Sequence, residues 1–124
     1  MRALELAGGS LNAPSIVAVH GLNGDLYKTW QDEDTGWLWL RDFLPDILPR
    51  AHITTFGYNS AVAFSASVSR IEDFAVALLV ELTRVRRRYK TQKTPLVFVC
   101  HSLGGIVFKK VRDIRTARLT SNFC

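Results

Sequence analysis

Leu96-Val97-Phe98-Val99-Cys100-His101-Ser102-Leu103-Gly104-Gly105 is the stretch from which the fold can be read. Its first five residues are apolar at odd and even positions alike, so neither face is left for water, as in a central parallel strand. Thr94-Pro95 opens this strand, and His101-Ser102 with two glycines behind it ends it abruptly. Apolar residues then recur at Ile106, Val107, Phe108, Val111 and Ile114, the spacing of a helix. The stretch therefore predicts a strand, a sharp turn and a helix start in immediate succession.

Upstream the same unit recurs. Ile16-Val17-Ala18-Val19 predicts a buried strand, which gives way to a tight loop at His20-Gly21-Leu22-Asn23-Gly24-Asp25. From Gly36, the positions of Trp37, Leu38, Leu40, Phe43 and Leu44 predict a short helix closed by Pro45 and Pro49. A second strand is expected over His52–Tyr58. Hydroxyls around Ser65 to Ser69 offer helix caps, and Val68, Ile71, Phe74, Ala75, Leu78, Leu79, Leu82 and Val85 predict the longest amphipathic helix. Strands alternating with helices imply an α/β class, with a parallel sheet covered by helices on both faces. Residues 1–13 are read as a lead-in segment.

At 124 residues the chain is one domain or part of one, and 48% hydrophobic content excludes global disorder. Net charge is +5 and unevenly placed: eleven of sixteen Lys/Arg lie at or beyond Arg84, ten of eleven acids before it. Arg84, Arg86, Arg87, Arg88 and Lys90 fall in the last turns of the long predicted helix, where cations complement the dipole. No aromatics interleave with them, which disfavours a nucleic-acid partner. Cys100 and Cys124 have no metal-ligand spacing, so no metal or cofactor is expected, and an intracellular, reducing compartment fits. No apolar run reaches the ~20 residues of a membrane span, and Arg2 with Glu5 leaves no signal-peptide core.

A serine hydroxyl becomes a useful nucleophile only when exposed, paired with a base and set beside N–H donors for an oxyanion. A strand-to-helix elbow supplies exposure and one donor. Here Ser102 takes the nucleophile position and Leu103 N–H the donor position, while Gly104 and Gly105 allow close helix packing and His101 supports the turn. Cys100 replaces the usual glycine, which crowds the turn without forbidding it. A serine that merely caps a helix is the competing reading. The second donor is expected from the loop after the earlier strand, at Leu22 N–H, with His20 and Gly21 shaping the loop. His20 is a poor candidate for the base.

The segments Val17–Asp25, Trp30, Trp37–Pro45, Thr55–Tyr58 and Val99–Val107, in this order, resemble a lipase-like α/β-hydrolase family. Its members include the serine active site-containing proteins and the N-terminal hydrolase domains of fungal NACHT, NB-ARC and ankyrin-repeat proteins. The resemblance covers about residues 14–111. It implies a serine hydrolase of lipase or esterase type acting on an ester, above all a lipid, within a larger protein in some relatives. Mitochondrial, endoplasmic-reticulum and membrane-associated settings are all implied as open.

Hydrolases of this fold order their triad as Ser, Asp/Glu, His along the chain. After Ser102 the only acid is Asp113, no histidine follows His101, and His52 is expected at a strand edge. No triad acid or base is thus found. Residues 112–124 depart from the family and are read as a helix extension followed by disorder. The expectation is the N-terminal half of the domain, weak or inactive alone, prone to self-association through an exposed sheet edge. A non-catalytic recognition or signalling module keeping the same scaffold is the alternative.

Overall fold

The computed structural model describes residues 1–10, 12–21, 24–59 and 68–121, with the side chains of 68–69 and 117–121 outside the description. Its centre is β2 (Ser15–Val19), buried at every position because its Ile, Val and Ala side chains face apolar layers on both sides. β3 (His52–Gly57) and β4 (Leu96–Cys100) flank it, both parallel, with Ile16 opposite Ile53 and Val97, and Val19 opposite Phe56 and Cys100. The strand expected over Leu96–Cys100 forms as read.

Two expectations change. The lead-in contains a strand, β1 (Arg2–Ala7), which pairs antiparallel with β3 and makes the sheet mixed, in the order β1-β3-β2-β4. Ala3 packs on the core layer of one face and Leu6 and Ala7 on that of the other, while Arg2 and Glu5 stay exposed, a pattern an edge strand tolerates. The Tyr89 hydroxyl donates to Glu5 and ties the strand to the residue just past the long helix Val68–Arg88. The second correction concerns β4. It stands at the sheet edge and leaves Val97 46% exposed, so its two apolar faces are only partly covered.

Helices lie on both faces, as the alternation requires. α1 (Trp39–Asp42) and α2 (Leu44–Ile47) replace the single helix expected before Pro45. Pro45 sits in the first turn of α2 rather than closing α1, a position where its missing N–H costs nothing. On this side Trp30, Leu38, Leu40 and Ala51 cover Ile16, Ala18 and Ile53. On the other, α3 (Val68–Arg88) and α4 (Leu103–Ser121) pack Ala75, Leu78, Leu82, Val107 and Val111 onto Val17, Val19 and Phe56. Fully buried side chains such as Leu78 and Phe56 contribute about 1.5–3 kcal/mol each. The hydroxyls around Ser65 lie outside the described residues. Arg86, Arg87 and Arg88 occupy the last turn of α3. The tail expected to extend the last helix is helical to Ser121, and its end at 122–124 lies outside the described residues.

Candidate functional site

The site grows from the end of β4. His101 N–H donates to the Val19 carbonyl (3.0 Å), which holds the chain against β2 for one residue beyond the strand. Ser102 then turns at φ +53°, in the left-handed region. The turn closes through Gly104 N–H to His101 O and Gly105 N–H to Ser102 O, both 3.0 Å. A side-chain-bearing residue in this region is strained, so the strain of the turn falls on Ser102.

Two glycines permit the approach. A Cβ built on Gly104 would stand 2.4 Å from Val19 O and 2.7 Å from His20 O, so the first turn of α4 lies directly on the end of β2. A Cβ on Gly21 would meet His101 O at 2.6 Å and Ser102 Cβ at 2.7 Å. The loop after β2 and the turn after β4 are therefore in van der Waals contact, with His20-Gly21 against Ser102. Ser102 is exposed, and its Oγ makes no hydrogen bond among the described residues. Leu103 opens α4, where an N–H has no intrahelical acceptor and is free for another partner. Leu22 lies outside the described residues.

His20 is 1% exposed and fully committed. Tyr58 N–H donates to its Nε2 (3.1 Å), so the ring proton sits on Nδ1, which donates to Gly21 O (2.9 Å). Tyr58 stacks on the imidazole at 4.4 Å and donates its hydroxyl to His20 O (2.8 Å). Burial, then the nearby Cys100, pushes the Tyr58 hydroxyl up to about 12, so it remains a donor at neutral pH. Tyr58 is the residue that sequence reading missed. Its role depends on β2 and β3 being neighbours in register, which no local pattern encodes. Cys100 packs against the same core layer, and burial raises its thiol, leaving it protonated and a poor nucleophile.

Next to the loop lies a cavity of about 280 Å3, lined by His20, Gly24, Asp25, Leu26, Gly57 and Tyr58. The loop is fixed on this side by Asp25, whose carboxylate accepts Lys28 N–H (2.9 Å) and Tyr27 N–H (2.8 Å). These bonds hold its pKa below the usual carboxylate value.

No base or acid is brought to Ser102 among the described residues. His52 pairs with Ser15 at the opposite end of the sheet, accepts Gly9 N–H at Nδ1 (3.1 Å) and lies against Tyr89. Asp113 is eleven residues along α4, roughly 16 Å of helix away, exposed and 3.9 Å from Arg112. Among the described residues no group of three His, Cys, Asp or Glu could hold a metal ion, and no helix is long and apolar enough to cross a membrane.

Comparison with known proteins finds distant similarity to vertebrate SERAC1 proteins. Protein SERAC1 of Homo sapiens is 24% identical over 112 residues, and that of Danio rerio 25% over 114, each alignment covering 77% of this chain. The protein from Bos taurus gives 25% over 112 residues. In each case the match spans 17% of the relative's length, so the chain corresponds to less than a fifth of those proteins. The fungal NACHT, NB-ARC and ankyrin-repeat part of the resemblance gains no support from these relatives. No family model matches, and no solved structure does.

Proposed function

We propose that this chain carries the nucleophile-bearing half of an α/β-hydrolase of lipase or esterase type, with Ser102 as nucleophile. Leu103 N–H and Leu22 N–H are the oxyanion donors in this reading, His20 and Gly21 hold the donor loop, and His101, Gly104 and Gly105 hold the turn. The substrate is an ester, of lipid type by the family resemblance. The observation that carries the proposal is the left-handed Ser102 between β4 and α4, with Gly21 packed on it at a distance only glycine allows. A serine that only capped α4 would need neither feature, since capping residues lie in the β region. The distant similarity to SERAC1 points the same way.

The residues that would activate Ser102 are absent from its surroundings as described, so slow chemistry is the expectation; losing the base removes most of a serine's reactivity. Incubation with a fluorophosphonate probe should label Ser102 slowly and stoichiometrically, with labelling lost in Ser102→Ala, while p-nitrophenyl butyrate is turned over near the buffer rate. A folded chain that takes no label would remove the nucleophile assignment. Fast, Ser102-dependent turnover would instead show that acid and base are present in this chain after all.

A second reading, a non-catalytic recognition module on the same scaffold, is favoured by one observation: His20, the only histidine buried beside the turn, has both ring nitrogens bound to backbone. The probe experiment separates the two readings, since the module predicts no label.

A further inference from the structure

At the end of the sheet opposite Ser102, α3, α4 and the start of β4 enclose a cavity of about 310 Å3. Leu79, Leu82 and Leu96 form its walls, and Arg86 and Arg115 supply its charge. The two guanidinium groups come from different helices. Burial first, and then the neighbouring Arg115 charge, lower the pKa of Arg86. Bringing like charges together beside apolar walls is unfavourable unless an anion offsets them. No carboxylate does so among the described residues: the ion pairs found join Arg41 to Asp42, Arg84 to Glu81, Lys110 to Glu72 and Arg112 to Asp113.

Arg86 is also held in place. Its Nη2 donates to Thr94 O at 2.8 Å, while Nη1 is shut off from solvent without an acceptor. On its inner side it borders a void of about 10 Å3 shared with Ser15, too small for more than one water. A guanidinium has five donors in a fixed fork, and here one donor bond is made within the protein. An immobilised arginine that lines the cavity with donors left beyond the inaccessible Nη1, a second arginine close by and three leucines form a site for an amphiphile, with charge at one end and apolar wall along the rest.

We propose that the cavity between α3 and α4 binds a small anionic amphiphile, a carboxylate or phosphate head on a short alkyl tail, with Arg86 and Arg115 on the head and Leu79, Leu82 and Leu96 along the tail. The site is separate from Ser102 and stands whether or not the hydrolase reading does. Calorimetric titration of the 124-residue chain with octanoate, octyl phosphate, octanol and inorganic phosphate tests it. Both anionic amphiphiles should bind about tenfold or more tightly than octanol and inorganic phosphate, the tighter of the two identifying the preferred head. Arg115→Gln, on an exposed side chain, should weaken them at least about fivefold with an unchanged circular dichroism spectrum, and Arg86→Lys should do the same. Ser102→Ala should bind like the parent chain. Octanol or bare phosphate binding as tightly as the amphiphiles, or Arg115→Gln binding unchanged, overturns the proposal.

Discussion

With φ at +53°, Ser102 occupies a conformation that costs a residue bearing a Cβ about 1–2 kcal/mol and costs glycine nothing comparable. If the turn stores this strain, Ser102→Gly should be more stable than Ser102→Ala by about 1 kcal/mol in urea denaturation, because both remove the hydroxyl and only one removes the Cβ. Equal midpoints would mean that the turn relaxes and stores no strain. The serine could be read from the sequence because an apolar strand ended on it and small residues followed. What surrounds it could not. The contact of Gly21 with Ser102, and the binding of the His20 ring by Tyr58, both follow from β2 lying between β3 and β4. Strand order is a property of the whole sheet, so no window around His20 or Tyr58 contains it.

Among the elements, α3 ends with Thr91 N–H donating to Arg86 O (2.8 Å) across Lys90 at φ +55°. This is the left-handed C-terminal closure that glycine usually occupies. Lys90→Gly should therefore raise stability by about 1 kcal/mol, seen as a higher thermal midpoint; a lower midpoint would show the lysine stem contributing packing instead. The loop after β2 offers a pH test. Asp25 is held below its ordinary 3.8, chiefly by Lys28 N–H and then Tyr27 N–H. A carboxylate with a depressed folded-state pKa contributes fully above its unfolded value, and that contribution is lost as pH falls through the folded one. Since Asp25 is exposed, the effect is about 1 kcal/mol or less. Between about pH 6 and pH 3, the parent chain should lose that much more stability than Asp25→Asn, which keeps an acceptor but does not titrate. Parallel pH profiles would show that the carboxylate gains nothing from those bonds. The long apolar patterns of α3 and β4 were legible because many residues repeat one period. β1 was not: six residues of which four, Arg2, Ala3, Glu5 and Ala7, are small or charged give a weak signal, and its pairing rests on β3, about fifty positions away in sequence. Pro45 reads as a stop in the sequence because proline disfavours a helical residue before it, yet the same residue fits the first turn of a new helix, which is where α2 has it.

For the molecule as a whole, the asymmetry of the sheet matters most. β2 and β3 are paired on both sides and β1 is a partly polar edge, whereas β4 presents an apolar edge with Val97 46% exposed. Ile106 on α4, at 52% exposure, adds to the uncovered surface following the same strand. An apolar strand with unpaired N–H and C=O groups along one side is a template for another strand. The chain should accordingly associate as its concentration rises, with sedimentation shifting to larger species and thioflavin-insensitive oligomers preceding precipitation. Because surface charge alone would give association that salt weakens, and strand pairing through apolar contacts would not, the shift should persist at high salt. Val97→Lys places a charge on that edge, the device by which natural sheets keep edges apart, and costs little where the residue is already half exposed. It should return the chain to a monomer at the same concentration without changing its circular dichroism spectrum. If Val97→Lys associates as strongly as the parent, the contact lies elsewhere, and the exposed aromatic cluster of Trp37 and Phe43 beside α1, with rings 5.2 Å apart, is the surface to alter next.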